Sequence, residues 1–305
     1  MAKSSNSALV IMAFFAIYVI WGSTYLLNKI AVLELEPFML ASFRFTLAGL
    51  CIFLLAKAMG TSLRITKKQL LNTLIAGILF LSIGNGLVVW ALRYVDTGFA
   101  ALEISSQPLI ILLLMRILQG KKIQPMSVVG VIFGIIGIYL LVSQKQIIAQ
   151  EESIVGMIMI FFCMLCWAYA SLFVANADLP NNYFVNTGYQ MFFAGLVLSL
   201  MSLGFGEEWT SPSVWSGKVQ LSMLLLIFLG SIVAFTSFNY LLKAVSPEKV
   251  ATSTYVNPIV ALLLGWYFLD EKITLQSIVA AAILLTGVYF INTKKTLAIF
   301  ERFKR

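Results

Sequence analysis

The chain has no histidine, only three cysteines among 305 residues, and just 11% charged residues, where an average soluble domain carries roughly 25%. Without histidine there is no HExxH zinc motif and no imidazole base, and no carboxylate pair stands beside a nucleophile in the apolar runs, so a membrane enzyme is the weakest reading. Cys51, Cys163 and Cys166 all fall inside apolar runs. "CMLC" has CxxC spacing, but metal or redox chemistry needs more thiols, histidines or an exposed loop, so these read as small packing residues and no metal or other cofactor is expected.

What fills the chain instead is hydrophobic sequence, 60% of it. Eight charge-free runs of at least twenty residues stand at 4–28, 69–92, 123–144, 153–177, 179–206, 219–242, 250–269 and 273–293. Each is long enough to cross a hydrocarbon core of ~30 Å as a helix of about 20 residues. Runs 37–56 and 97–115 are each interrupted by one charge, Arg44 and Glu103. Lipid leaves unpaired backbone groups unsolvated, and barrel-type alternation is missing, so the expectation is an all-α membrane protein of ten transmembrane helices. The first run shows no small-residue cleavage site and reads as a retained helix.

The excess of 21 Lys+Arg over 13 Asp+Glu does not point to nucleic acid, because of where the charges fall. With the N-terminus inside, fifteen basic residues lie on the cytoplasmic side and five outside, which puts both termini in the cytoplasm and the chain in the cytoplasmic (inner) membrane. The tail "KKTLAIFERFKR" suits anionic lipid headgroups.

The two halves resemble each other. A shift of 146 sets Trp21 on Trp167 and Ala48-Gly49 on Ala194-Gly195. Further along, a shift of 150 sets "SSQPLIILLL" over "YVNPIVALLL", with 13 identities in 63 positions between 80–142 and 230–292, among them Pro108 on Pro258 and Gly137 on Gly287. The unit is five helices, 1–150 and then 151–305. Five is odd, so the second copy enters the membrane from the opposite side, as in transporters that bind substrate at the interface of inverted repeats. Pro108 and Pro258 each free the carbonyl four residues back, on Ile104 and Thr254, and predict helix breaks that line a cavity, with a plain packing kink as the alternative.

"IWGSTYLLNKIA", "EPFMLASFRFTLAG", "GNGLVVWALRYVDTGFAA" and "NPIVALLLGWYFLDEKIT" together resemble the drug/metabolite transporter superfamily, closest to its EamA-type ten-helix bacterial members. The resemblance covers essentially the whole chain. It implies secondary transport of a small organic metabolite, often efflux, through a cavity lined by both repeats. One departure stands out: the family's glutamate after the glycine closing helix 4 is missing in "LQGKKI", whereas "LDEKIT" keeps Glu271. At the position of Glu103 the family more commonly has a small or apolar residue.

Counting from helix ends places Trp21, Arg44, Asn85 and Glu103 about 10 Å below the outer boundary, with Tyr25 and Gln107 one turn away. A lone charge at such depth costs several kcal/mol or more and normally finds a partner, so Arg44 and Glu103 are expected close together. Three roles are open to them: a permanent ion pair, an outer gate, or a carboxylate that takes a proton or a substrate ammonium. The second copy replaces them with neutral groups, Gln190 for Arg44, Ser253 for Glu103 and Asn257 for Gln107. A charged half above a hydrogen-bonding half suits a polar, zwitterionic substrate such as an amino acid, with a proton or an exchanged metabolite as coupling partner.

Trp21, Tyr25, Trp90, Trp167 and Tyr240 are candidate cavity walls, or ordinary packing residues. Trp209 and Trp215 read as interfacial anchors, and "GVIFG" as close helix packing in a monomer or, less simply, a homodimer contact. A channel or lipid scramblase is the main rival to a carrier, although no ring of like charges or filter sequence is visible.

Overall fold

The computed structural model describes residues 7–120, 125–144, 151–245, 250 and 253–292. The N-terminal residues 1–6, the basic tail, Lys121 and Lys122 and most of "SQKQIIAQEES" lie outside the described residues. Those described are helical, with no strand among them. Seven helices are long and apolar enough to span a membrane: α1 (Ser7–Val32), α2 (Pro37–Ala58), α3 (Lys67–Ala91), α4 (Thr97–Gln119), α6 (Glu152–Val174), α7 (Tyr183–Gly204) and α8 (Gly217–Leu241). Three shorter apolar helices complete the chain order: α5 (Pro125–Leu141), α9 (Ser253–Leu269) and α10 (Leu275–Asn292).

Local chemistry sets several starts. Thr66 and Gln69 form a reciprocal capping box before α3, Asn182 accepts from the amides of Phe184 and Val185, and Ser216 accepts from that of Val219. Proline opens α2.

Helices at matching places in the two halves pack on each other, α2 on α7, α5 on α10 and α4 on α9. The remaining large contacts come in matched pairs: α1 with α9 and α6 with α4, α3 with α7 and α8 with α2, α3 with α6 and α8 with α1. Glycines make the closest crossings. A Cβ on Gly49 would stand 2.7 Å from Phe192 N, and one on Gly195 would stand 2.6 Å from Thr46 N. In the α5–α10 crossing a Cβ on Gly137 would meet Leu284 Cγ at 2.6 Å, and one on Gly287 would meet the backbone of Gly130 and Gly134. The "GVIFG" glycines therefore serve packing inside this chain.

Among the described residues the regular helix gives way in four places. Wider π turns run over Ala16–Ile20, Ile78–Asn85 and Leu226–Phe235. In α4 the break falls at Ser105–Ser106, just before Pro108, where tightened bonds run from Ser105 N to Leu102 O (3.1 Å) and from Ser106 N to Glu103 O (3.0 Å). The expected counterpart is absent, for α9 stays helical through Pro258. Trp215 also departs from expectation. It is 7% exposed, packed edge-on against Phe43 and bonded through Nε1 to Thr210 Oγ1, so it is a buried residue and not a lipid anchor.

Candidate functional site

Trp21 and Trp167, aligned by the repeat, meet edge to face at 6.1 Å. Phe80 packs on Trp167 at 4.7 Å, and Phe238 on Trp21 at 5.1 Å, so α1, α3, α6 and α8 share one aromatic centre. Trp90 and Tyr240 lie elsewhere. Trp90 packs with Phe38 and Phe205 near the ends of α2 and α7, and Tyr240 packs on Tyr183 and on a small cluster around Ile17 and Leu241 that Trp21 and Phe238 also touch.

Arg44 is 2% exposed. Its Nε donates to Ser231 Oγ at 2.7 Å, its Nη1 to Asn28 Oδ1 at 3.3 Å, and its guanidinium lies 4.8 Å from the Phe45 ring centroid. Glu103, 6% exposed, has a buried Oε2 with no hydrogen-bond partner. The expected Arg44–Glu103 pair is therefore not made; among the described residues the one ion pair is Arg93–Glu36 at 3.0 Å. The physical reason is that neutral oxygens on α1 and α8 already hold two of the guanidinium's donors, while Glu103 stands at the α4 break beside α6. There Cys163 is within electrostatic reach of both Glu103 and Tyr25, and Ser106 contacts Met164. Tyr25 lies three residues before Asn28, on the same side of α1.

Gln190 belongs to a different group. Its Nε2 donates to Asn186 Oδ1 (3.1 Å), Asn186 Nδ2 to Asn239 Oδ1 (3.5 Å), and Asn239 Nδ2 to Thr187 Oγ1 (2.8 Å), all buried between α7 and α8. The chain of amides ends on Gln190 Oε1, which has no partner, and Asn85 Oδ1 and Thr236 Oγ1 are likewise buried without one. Asn257 is turned to the backbone: with its amide nitrogen facing α1, it donates to the carbonyls of Ile17 (2.9 Å) and Tyr18 (2.8 Å) in the π turn. Ser253 is buried and Gln107 half-buried at the start of the second part of α4.

Sequence reasoning missed Asn28, Ser231, Asn186, Thr187 and Asn239. The strings "NTGYQ" and "TSFN" carry the signal for the last three, polar residues at helical spacing inside apolar runs.

The sequence profile of the EamA-like transporter family matches residues 8–143 and again 154–293. The uncharacterized inner membrane transporter YedA of Escherichia coli strain K12 is 34% identical over 294 residues, 94% of each chain. The uncharacterized transporter YoaV of Bacillus subtilis strain 168 is 20% identical over 288 residues, covering 93% of this chain and 96% of that one. A solved crystal structure shares the fold over 99% of this chain and all of its own, with a TM-score of 0.65 at 21% identity. The family and these two relatives are named as transporters and not as enzymes. With several apolar spans, a profile matched twice and a relative alike along almost its whole length, this multi-pass membrane chain belongs to the EamA-like transporter family.

Proposed function

We propose that the chain is a secondary active exporter that moves a small polar organic metabolite, zwitterionic like an amino acid, across the cytoplasmic membrane by alternating access. Ten helices cross the membrane as two inverted five-helix repeats, 1–150 and 151–305, with both termini in the cytoplasm, so that α1 ends at the outer face. The matched helix contacts, the paired glycine crossings and the basic residues on one side support this architecture.

One observation carries the functional reading: Arg44 and Glu103 are both buried, and neither answers the other. An ionised carboxylate without a partner at such depth costs several kcal/mol, a cost that vanishes when a proton or an ammonium reaches it. Arg44 has hydrogen bonds but no opposite charge. A zwitterion supplies both complements, ammonium to Glu103 and carboxylate to Arg44, and a proton replaces it on Glu103 for the return step. The aromatic centre and the amide chain between α7 and α8 form the remaining wall.

The test is flux in proteoliposomes loaded with candidate amino acids. The reading expects saturable uptake stimulated by substrate on the opposite side, with its pH dependence lost in Glu103→Gln. Normal turnover with unchanged pH dependence in that variant removes the role of Glu103, and linear, non-saturating flux in the parent favours a channel or scramblase.

A further inference from the structure

Where α1 and α3 end and α2 and α4 begin, all four helix ends are closed by charges of the sign that the helix dipoles favour. α1 and α3 exchange cationic caps: Lys29 Nζ donates to the carbonyls of Leu92 (2.6 Å) and Val95 (3.1 Å), and Arg93 to those of Val32 (3.3 Å) and Leu35 (2.9 Å). These bonds stay within the first half.

The N-termini of α2 and α4 are held differently. The amides of Phe38 and Met39 donate to the two carboxylate oxygens of Glu207 at 3.0 and 2.7 Å. Those of Thr97 and Gly98 donate to Glu271 at 2.8 and 3.3 Å, and the Thr97 hydroxyl adds a bond of 2.8 Å. Neither helix is capped by its own N-cap residue, since Glu36 and Asp96 make no side-chain cap. Glu207 follows α7 and Glu271 follows α9, so each carboxylate crosses from the second half to grip the first. Both grips also stand in register with the site. Phe38 precedes Arg44 by six residues and Thr97 precedes Glu103 by six, so each lies about 9 Å along its helix from one of the two buried charges.

We propose that Glu207 and Glu271 are the two points of a latch on the outer gate, holding the outer ends of α2 and α4 while Arg44 and Glu103 are loaded, and releasing them when the outer path opens. The latch rests on the transport reading above. It is a stronger claim than capping, because a permanent cap need never let go. Bidentate acceptance by a carboxylate from helix N–H groups is charge-assisted and directional, yet both residues sit in loops where water can replace the bond. Gly265 offers an independent way to break one point. A Cβ there would collide with Glu271 Oε2 and Thr97 Oγ1, so Gly265→Ala wedges this contact apart and leaves the acid in place.

Cys163, buried on α6, the helix packed against the Glu103 helix α4, is the reporter. With Cys51 and Cys166 changed to alanine, full-length protein in right-side-out vesicles is exposed to a membrane-impermeant quaternary-ammonium thiosulfonate, and the rate of Cys163 modification is followed. The latch predicts slow modification in the parent. It predicts an acceleration of tenfold or more in Glu207→Ala/Glu271→Ala, the factor that ~1.4 kcal/mol of lost gate stabilisation gives, and a smaller one in Gly265→Ala. Equal thiol counts after unfolding and a cooperative melting transition show that the variants are folded. Unchanged rates in both folded variants overturn the latch, as does fast modification of the parent from outside. Acceleration only in inside-out vesicles would place the gate on the other face and overturn it as an outer gate. The labelling needs no substrate, so the latch can fail while saturable flux persists, and the flux assay can fail while the labelling result stands.

Discussion

Adding a methyl group to Gly49 or Gly195 tests the close crossing of α2 and α7. The new Cβ would lie 2.7 Å from Phe192 N in one variant and 2.6 Å from Thr46 N in the other, against backbone that cannot rotate away. Comfortable contact begins at about 3.5 Å, so α2 and α7 must separate by about 0.8 Å. Overpacking of this kind costs ~1–3 kcal/mol. Within a membrane, where water does not drive helices together, close packing is itself the source of association, so the loss is felt in full. The two glycines face each other across one crossing, and a single outward shift relieves both. Gly49→Ala/Gly195→Ala should therefore cost little more than the worse single change. The assay is the rate of thermal unfolding in detergent, read by exposure of buried Cys163 to a thiol dye; each single variant should unfold up to about 5- to 150-fold faster. Gly204→Ala, with nothing within 4 Å of its Cβ, serves as the neutral control. Full additivity, or singles as stable as the control, would mean that the two glycines do not share one tight crossing.

Other consequences can be measured on the same protein. Asn257→Leu strips two carbonyls in the α1 π turn of their donor and should destabilise by about 1–3 kcal/mol, read as faster unfolding; a neutral effect would show that the turn does not need it. Because Arg44 meets Ser231 and Asn28 instead of Glu103, neutralising both charges should not rescue transport lost by neutralising either; rescue would show that they pair during the cycle. For Glu271, burial raises the carboxyl above its ordinary value, the Thr97 amide and hydroxyl pull it down, Asp96 pushes it up and the Gly98 amide pulls it down, with a net rise; Lys29 faces it as well. The folded state thus takes up this proton at higher pH than the unfolded chain. The contribution of Glu271 to folding is fully present below the unfolded glutamate value and is lost as pH rises through the folded one. Latch strength runs the other way, since a neutral carboxyl is a weaker acceptor. Measured relative to a free thiol at the same pH, which cancels the fall in thiolate, outside modification of Cys163 should be faster at pH about 5 than at about 7.5, and Glu271→Gln should flatten the difference; an unaltered profile would exclude Glu271 as its source.

Much of this arrangement was legible in the sequence. Long apolar runs marked the spans, and the shift of 146 matched Trp21 with Trp167 and Gly49 with Gly195, pairs that meet or face each other in the fold. The α4 break follows from Pro108, which lacks the donor for Ile104 O. Pro258 has the same chemistry in a helix that stays continuous, so proline alone did not decide the geometry. Opposite sign misled for Arg44 and Glu103. Charge says that each needs compensation but not from whom, and a guanidinium is satisfied as readily by neutral Ser231, 187 residues away. The caps from Glu207 and Glu271 were invisible because helix-start rules look to the adjacent residues, here Glu36 and Asp96, while the acceptor arrives from another loop.

Whether Arg44 and Glu103 carry the substrate is decided by counterflow of a zwitterionic amino acid in proteoliposomes, compared between parent, Glu103→Gln and Arg44→Gln. Saturable, trans-stimulated flux is expected in the parent, with loss in both variants and no pH response left in Glu103→Gln. Normal counterflow in both variants would contradict that role, because two buried, unanswered charges would then have no part in carrying the substrate.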